Sequence, residues 1–333
     1  MLRLVARAPS ICLVGYTLPF TMTISLTIII PTKNRAAMIQ AALESMRELA
    51  GLQRIRPQII IADNDSQDET WEVLQQAKET FPVRVTVMKG KRPGKSAVIN
   101  DALRSAKGAM LAFLDDDVFP DPGWLEAIER FVLKGSHQAG QGRIRLPSPE
   151  REDPEVLRLL QRFRTIPNLN FDPATEQVHS LNGANFVISR AALERVGLFD
   201  ERLGPGASGT SEDVELARRL ARARITIGYI PEAVAYHRID RSRLTEKYFK
   251  ALHKKQGQSR LVFKDRSVAH ILCDLCHRTL QYGIYSLVAQ ERRRYRSKGR
   301  IYHYIGMLET KLNGRTFYHK RRMFRSINEP SDR

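Results

Sequence analysis

The chain has 333 residues, of which 42% are hydrophobic and 27% charged, a composition that excludes collagen-like, coiled-coil and intrinsically disordered proteins. Three cysteines are too few for a disulfide framework. The net charge of +18 is unevenly distributed, because residues 1–237 contain 30 Lys and Arg against 28 Asp and Glu, whereas residues 238–333 contain 24 against 8. The two parts are therefore expected to have different roles.

Residues 1–24 are predicted to be an N-terminal extension. Arg3 and Arg7 precede a stretch without charge that continues to Thr32, a pattern shared with signal peptides and membrane anchors. Pro19, several threonines and the lack of an Ala-x-Ala cleavage site favour a loose extension before a strand, with Met22 as an alternative start.

Strands and helices are predicted to alternate from residue 25 to residue 120. Apolar runs predict strands over 26–30, 58–62, 83–88 and 110–114, with helices over 35–49, from 69 and over 96–105 between them. Such alternation forms a parallel sheet covered by helices, and ligands bind at the carboxyl ends of its strands. We therefore expect an α/β fold with its site at those strand ends.

Carboxylates follow two of these strands. Asp63 follows the second strand, and the triplet Asp115, Asp116 and Asp117 follows the fourth. If the extended geometry persists, Asp115 and Asp117 point to the same side of the sheet, where they repel each other unless a cation lies between them. A few hard oxygen ligands suit Mg²⁺ or Mn²⁺, with water and phosphate completing the coordination. A capped turn is the alternative interpretation.

A second group of candidate residues lies downstream. A glycine-rich loop over 204–209 leads to Glu212 and Asp213 in the first turn of a predicted helix, whose positive end favours carboxylates. Ser211 is the candidate cap of this helix, and the glycines would allow the loop to close as a lid. His237 ends another predicted strand, where a histidine is either a core residue or a ligand.

These motifs resemble family 2 of the inverting, nucleotide-sugar-dependent glycosyltransferases, which have the GT-A fold. The resemblance extends from about Thr27 to Ser259 and rests on the ordered motifs IIIPTKNR, ADNDSQDET, GKSAVINDAL, FLDDDVFPDPGWL, NGANFVISRAAL, GLFDERL, SEDVELARRL and AYH. It implies a GT-A (Rossmann-like), mostly parallel sheet flanked by helices over 25–240. Residues 25–120 would be the nucleotide-binding half and 121–240 the acceptor-binding half, followed by a basic helical region over 241–333.

The resemblance also implies roles for single residues. Asp213 is expected to be the acceptor base, with Glu212 beside it, and the metal ligands are expected to be Asp117, Asp115 and His237. The nucleotide sugar is expected to contact Pro31, Thr32, Asn34, Arg35, Asp63, Lys95, Asn100, Asp115 and Asp116. In this scheme Asp63 accepts a hydrogen bond from the base, and Lys95 or Asn100 lies near the ribose and phosphates. Lys33 stands where the family often has an aromatic residue that stacks on the base. The resemblance therefore does not specify which nucleobase the donor contains.

The implied reaction moves a sugar from a nucleotide-diphosphate donor to an acceptor hydroxyl with inversion, in polysaccharide or glycolipid synthesis. One base, Asp213, and one divalent ion, Mn²⁺ or Mg²⁺, suffice for a single displacement. The first alternative is a sugar-phosphate nucleotidyltransferase, which would need a glycine-rich loop that PTKNR lacks. The second is a non-catalytic basic protein that binds a membrane or RNA.

Two short motifs do not indicate the sites they resemble. Gly94-Lys95-Ser96 lacks the earlier glycine of a phosphate-binding P-loop, since Lys89 stands there. The run from Cys273 to His277 matches a haem-attachment pattern, but it lies in an apolar helical segment, so two buried or half-buried thiols are expected.

The composition of the C-terminal third predicts that this region binds a charged surface. Residues 241–264 are typical of an amphipathic helix with cationic flanks, and residues 268–290 are apolar but interrupted by charges, which argues against a spanning helix. Peripheral attachment to an anionic membrane surface is favoured over a solvated helical face, and nucleic acid is not favoured because no reading motif accompanies the charge. We expect a cytoplasmic enzyme at the inner face of the cell membrane, with a glycan or lipid-linked acceptor.

Overall fold

The computed structural model describes residues 24–314, and within that range a twisted sheet carries helices on both faces. The predicted alternation of the first half is confirmed. Its elements are β1 (Leu26–Thr32), α1 (Ala36–Arg47), α2 (Leu52–Ile55), β2 (Gln58–Asp63), α3 (Thr70–Thr80), β3 (Val85–Lys89), α4 (Lys95–Ser105), β4 (Met110–Leu114) and β5 (Val118–Pro120). The predicted extension over 1–24 lies outside the described residues, apart from its last residue.

The second half is more irregular and ends in three long helices. Its elements are α5 (Trp124–Lys134), β6 (Ala139–Arg145), α6 (Pro154–Phe163), β7 (Gln177–Val178), β8 (Asn185–Ser189), α7 (Arg190–Val196), α8 (Glu212–Arg222), β9 (Ile227–His237), α9 (Glu246–Phe263), α10 (Val268–Leu287) and α11 (Glu291–Leu312).

The sheet has the strand order β3-β2-β1-β4-β8-β6-β9-β5, and β7 pairs with β9 at one side. The strands β3, β2, β1 and β4 are parallel, as predicted, whereas β8 is antiparallel to both β4 and β6. Because β8 runs against β4, its first residue, Asn185, lies opposite Leu114 at the end of β4. The loop before β8 therefore reaches the sheet edge at which β1 and β4 end.

Apolar side chains of the central strands pack on both faces of the sheet. In β1, Ile28 and Ile30 belong to one core and Ile29 belongs to the other, and all three are fully buried. A strand buried on both faces is expected to be apolar throughout, which is why β1 shows no alternation. These two cores fix the strand ends that carry the polar residues.

A buried amide ties the irregular half of the sheet together. Asn185 accepts a hydrogen bond from Trp124 Nε1 at 2.9 Å and donates to the carbonyl oxygens of Arg143 and Ala233 at 2.9 and 2.8 Å. A Cβ at Gly142 would clash with this amide, so the close approach requires glycine at that position. Asn185 therefore joins β6, β8, β9 and α5 at one point.

We expect Asn185→Ala to lower the free energy of unfolding by about 3 kcal/mol, because it leaves buried polar groups of three neighbours without a partner. Urea unfolding of the full chain measures this effect. Asn170→Ala, at an exposed position, is the matched control and should change stability by less than about 0.5 kcal/mol. An equal loss in both variants would show that the buried amide has no special role.

The three C-terminal helices pack as a layer in which α11 contacts both α9 and α10. Aromatic contacts among Phe163, Phe249 and Tyr295 join α6, α9 and α11. A Cβ at Gly257 of α9 or Gly306 of α11 would clash with the facing helix backbone, so α9 and α11 touch closely. Residues 315–333 of the predicted basic helical region lie outside the described residues.

The helix α10 corrects one expectation from the sequence. Cys273 and Cys276 are exposed, not buried or half-buried. Of the side chains of α10, Ile271 alone is fully buried, because in the described part of the chain the helix packs mainly on α11 and leaves its other face open. Between residues 24 and 314, no helix combines the length and the hydropathy needed to cross a membrane.

Candidate functional site

An open cleft of about 880 Å³ lies at the carboxyl ends of β1 and β4. Its walls also include the loop before β8, the glycine-rich loop with the start of α8, and the inner face of α9. Most of the sequence-predicted site residues line it: Pro31, Thr32, Asn34, Arg35, Lys95, Asp115, Asp116, Asp117, Glu212, Asp213 and His237. Asp63 and Asn100 do not.

His237 is brought to Asp117 by the pairing of β5 with β9. Val118 lies opposite His237 in this antiparallel pair, and Nε2 of the histidine is 3.6 Å from Oδ1 of Asp117. Nδ1 lies 2.8 Å from the carbonyl oxygen of Arg238. Since a carbonyl oxygen only accepts, Nδ1 carries a proton, and Nε2 is the nitrogen directed at the carboxylate.

Two arginines complete the surroundings of Asp117. Its Oδ2 accepts hydrogen bonds from Arg35 at 2.8 Å and from Arg243 at 2.9 Å. Burial opposes ionisation, but His237, Arg243 and Arg35 together lower the pKa of Asp117 to about 2. Asp117 is therefore an anion throughout the neutral pH range.

The donor set around Asp117 fits a divalent cation with few protein ligands. A carboxylate oxygen and an imidazole nitrogen face each other, and the backbone carbonyl behind the imidazole orients it as in known metal sites. Within residues 24–314, however, no three His, Cys, Asp or Glu side chains form a metal-binding group. The structure therefore brings Asp117 and His237 together, but it does not add Asp115 as predicted.

The side chain of Asp115 pairs with a lysine and does not lie beside Asp117. The strand β4 ends at Leu114, so the extended geometry that would place Asp115 beside Asp117 does not continue. Lys95, at the start of α4, lies 2.6 Å from Asp115 and 3.5 Å from Glu212. Burial alone would lower the pKa of Lys95, but Asp115 and Glu212 raise it, so this lysine remains a cation between two acidic residues.

Asp213 lies at the first turn of α8 and opens onto the cleft. Its Oδ2 accepts a hydrogen bond from the Gly183 N–H at 2.9 Å, and its Oδ1 accepts one from the Val214 N–H at 2.7 Å. Burial, and then the negative charge of Glu212, raise the pKa of Asp213 to about 7. A carboxylate with a pKa near neutrality is suited to take up a proton from a bound hydroxyl group.

Several predicted donor-binding side chains are already bonded within the protein. Thr32 donates to Asp116 at 2.8 Å, and Arg35 bonds the same carboxylate at 2.9 Å. Burial, opposed by Arg35, raises the pKa of Asp116 to about 6. Asn34 accepts from the Gln67 N–H at 2.7 Å. These residues form the cleft wall and hold one another in position.

Two sequence-predicted contacts need correction. Asp63 is fully buried, and its carboxylate accepts hydrogen bonds from Ser66, so the next residue, Asn64, lines the cleft instead. Asn100 is also buried, and its amide bonds the backbone of Phe199. Asp63 closes the turn after β2, whereas Asn100, inside α4, holds the loop at Phe199. Both side chains satisfy polar groups that are shielded from water behind the cleft.

The candidate cap of α8 is also corrected. Ser211 makes no capping hydrogen bond to the helix and has a left-handed φ of 76°. Its hydroxyl lies 3.1 Å from that of Thr210. This unusual backbone turns the chain from the glycine-rich loop into α8 and so aims Glu212 and Asp213 at the cleft.

Other cleft residues were missed or only weakly indicated by the sequence. Asn182, Tyr248 and Gln256 line the cleft. Arg243, which was predicted only as part of the cationic segment 241–264, contacts Asp117. Asn182 belongs to the NGAN motif, and this motif could have identified it as a site residue from the sequence. Nothing in the pattern of α9 indicates that one of its faces lines the site.

Comparisons with known proteins agree with this geometry. The family described as Glycosyl transferase family 2 matches residues 27–197, just over half of the chain. The chain is 24% identical over 222 residues to the glycosyltransferase AglE of Haloferax volcanii, covering 66% of this chain and 67% of AglE. It is 23% identical over 224 residues to the probable glycosyltransferase YdaM of Bacillus subtilis, covering 63% of this chain and 50% of YdaM.

A solved structure shows the same fold. The mannosyltransferase PcManGT from Pyrobaculum calidifontis, in complex with GDP-Man and Mn²⁺, is similar with a TM-score of 0.59 and 18% identity, over 89% of each chain. This likeness confirms the predicted GT-A fold. With the family match and the carboxylate-lined cleft at the strand ends, it leads to one conclusion: the chain belongs to glycosyltransferase family 2.

Proposed function

We propose that this glycosyltransferase transfers a sugar from a nucleotide-diphosphate donor to an acceptor hydroxyl with inversion at the anomeric carbon. The acceptor would be a glycan or a lipid-linked glycan, in polysaccharide or glycolipid synthesis. The observation that carries the proposal is that one cleft contains both a carboxylate with a pKa near 7, Asp213, and an ionised carboxylate paired with an imidazole, Asp117 and His237. The first group suits the acceptor and the second suits the donor.

The donor side of the cleft would bind the leaving diphosphate. Asp117 and His237 would hold a divalent cation, Mn²⁺ or Mg²⁺, which supplies positive charge against the departing phosphates. PcManGT was solved with GDP-Man and Mn²⁺, which supports a metal of this kind. Arg243 and Arg35 already contact Asp117, and Lys95 is a third cation on the cleft wall. These side chains would orient the phosphates and compensate their charge.

The acceptor side would activate the attacking hydroxyl. Each oxygen of Asp213 accepts one backbone hydrogen bond, which fixes the carboxylate while leaving a lone pair available. Its raised pKa allows it to receive the hydroxyl proton as the new bond to the anomeric carbon forms and the bond to the diphosphate breaks. A single displacement of this kind inverts the anomeric centre.

A donor screen tests the proposal. The full chain is incubated with UDP-, GDP- and dTDP-sugars, with Mn²⁺ or Mg²⁺ or with a chelator, and nucleoside diphosphate release and binding are measured. We expect at least one donor to bind and to release its diphosphate only when metal is present. If no nucleotide sugar binds under any metal condition, the donor assignment is wrong. If inorganic pyrophosphate is released from a nucleoside triphosphate and a sugar phosphate, the nucleotidyltransferase alternative replaces it.

A further inference from the structure

An exposed apolar face on α10 lies outside the catalytic cleft. Six residues at helical spacing form it, and we call them the α10 face: Leu272, Cys273, Cys276, Leu280, Ile284 and Leu287. Leu280 is 66% exposed and Leu287 is 88% exposed. The face extends over 15 residue steps, or about 22 Å of helix, and contains no charged side chain. A stripe of this length is unusual on a surface that meets only water.

Cations that lack acidic partners cluster at the start of α10. Arg218 and Arg260 each lie over the ring of Phe263, at 5.1 and 5.2 Å, and Lys264 follows directly. Burial and the nearby Arg218 and Arg300 lower the pKa of Arg260, while Arg260 lowers the pKa of Lys264. Across residues 24–314, Arg218, Arg260, Lys264 and Arg300 form no ion pair with a carboxylate. These four cations therefore have no paired carboxylate, whereas the neighbouring Arg266 pairs with Asp274 of α10.

A second cationic group follows the other end of α10. Arg292, Arg293 and Arg296 are exposed in the first turns of α11, and the described residues offer them no carboxylate partner. Arg293 lies 5.8 Å from the ring of Tyr285, on α10 itself. Unpaired positive charge thus lies near both ends of α10, on the neighbouring helices α8, α9 and α11.

We propose that the α10 face docks on an anionic membrane surface, with its apolar side chains in the interface and the flanking cations among the lipid headgroups. This inference goes beyond the proposed reaction and does not depend on it. It would place the enzyme at the inner, anionic face of a cell membrane. An interfacial helix combines these two features, an apolar face and basic borders.

Charge complementarity favours a membrane over a second copy of the chain. A two-fold dimer through the α10 face would bring the cationic groups of both copies together, and like charges at short range repel each other. An anionic bilayer would instead compensate both groups while covering the apolar side chains. The same charges that oppose self-association therefore favour lipid binding.

Vesicle flotation of the full chain tests the proposal. Phosphatidylcholine vesicles, with and without phosphatidylglycerol, are mixed with the wild type, with the double variant Leu280→Asp/Leu287→Asp, and with Arg293→Glu/Arg296→Glu. Leu133→Asp on α5 and Arg195→Glu on α7 are matched controls at exposed positions away from α10. Circular dichroism and light scattering confirm that each variant is folded and report its oligomeric state.

We expect the wild type and both controls to float with the anionic vesicles. The leucine variant should lose at least about tenfold in partition coefficient. The arginine variant should lose at least about fivefold for each reversed cation, since each substitution removes a positive charge and adds a negative one. Release of diphosphate from a soluble donor, where it is found, should not change in either variant. Failure of the wild type to float, or flotation of the leucine variant equal to that of the wild type, would overturn the proposal. So would a wild-type dimer that the leucine substitutions convert to monomers, because the face would then be a subunit interface.

Discussion

Asp213→Asn is expected to reduce the rate of sugar transfer by about 10²- to 10⁴-fold, since the acceptor hydroxyl would lose its base. Asparagine has nearly the same shape, and its one amide oxygen can still accept the hydrogen bond from the Gly183 N–H, while the bond from the Val214 N–H is lost. The change in shape of the cleft should therefore be small. Metal-dependent binding of the donor should therefore be retained. Single-turnover transfer and donor titration, measured on the same preparation, separate the two effects.

The pH dependence gives this prediction its second readout. A base acts when deprotonated, and the pKa of Asp213 is raised to about 7, first by burial and then by Glu212. The wild-type kcat/KM should thus rise about tenfold between pH of about 6 and about 8 and then level off. The residual activity of Asp213→Asn should lack that rise. A wild-type profile that is flat across this range would exclude Asp213 as the base.

The same pKa predicts an effect on stability. The pKa of Asp213 in the folded protein lies above the ordinary value of 3.8, so the unfolded chain gives up this proton at a lower pH than the folded chain does. The wild type therefore loses folding stability as the pH rises from 3.8 to about 7. Asp213→Asn removes that loss, and its melting temperature relative to the wild type should increase between pH of about 5 and about 8. Asp65→Asn, at an exposed left-handed position, is the control and should show no such trend.

Asp117→Asn is expected to lower kcat/KM by about 10²- to 10³-fold by a different route, through donor binding. The carboxylate lies beside His237, Arg35 and Arg243, and the amide would remove the negative charge that all three face. Titration of the chain with Mn²⁺ in the presence of a nucleoside diphosphate should therefore show a large loss of affinity. This readout does not require a known acceptor.

The neighbouring residue Asp121 offers a matched control for this substitution. Asp121 caps the turn before α5 by accepting from the Gly123 N–H at 3.1 Å, and it does not line the cleft. Asp121→Asn should keep full Mn²⁺-dependent binding. If Asp117→Asn also binds metal and diphosphate like the wild type, the metal site must be sought at another group of ligands, and the pairing with His237 would be structural.

The sequence predicted the first half of the fold well because its strands are buried on both faces. In β1 and β2 the apolar runs are continuous, and a turn residue marks each end, so strand, helix and strand order follow from local pattern. The order of the second half could not be predicted in this way. The antiparallel position of β8 depends on long-range packing around Asn185, which leaves no periodic signal.

The sequence predicted which residue types lie at the site, but it did not predict which side chains they contact. The spacing of Asp115 and Asp117 suggested convergence, whereas the chain turns after Leu114 and Lys95 takes up Asp115. An aspartate at the position of Asp63 is a residue type that often contacts a ligand. Its carboxylate instead accepts a hydrogen bond from Ser66 within the turn. Sequence pattern locates a carboxylate at a strand end, but the rotamers and neighbours that decide its partner are fixed by the tertiary structure.

The close contact of α9 with α11 through Gly257 and Gly306 has a geometric consequence. Tyr248, Leu252 and Gln256 of α9 form one wall of the cleft, while α11 carries α10 on its other side. With backbone against backbone, this joint has little freedom to bend or slide. Whatever surface α10 rests on would then set the height and tilt of the cleft mouth, so an acceptor anchored in that surface would meet Asp213 at a fixed distance.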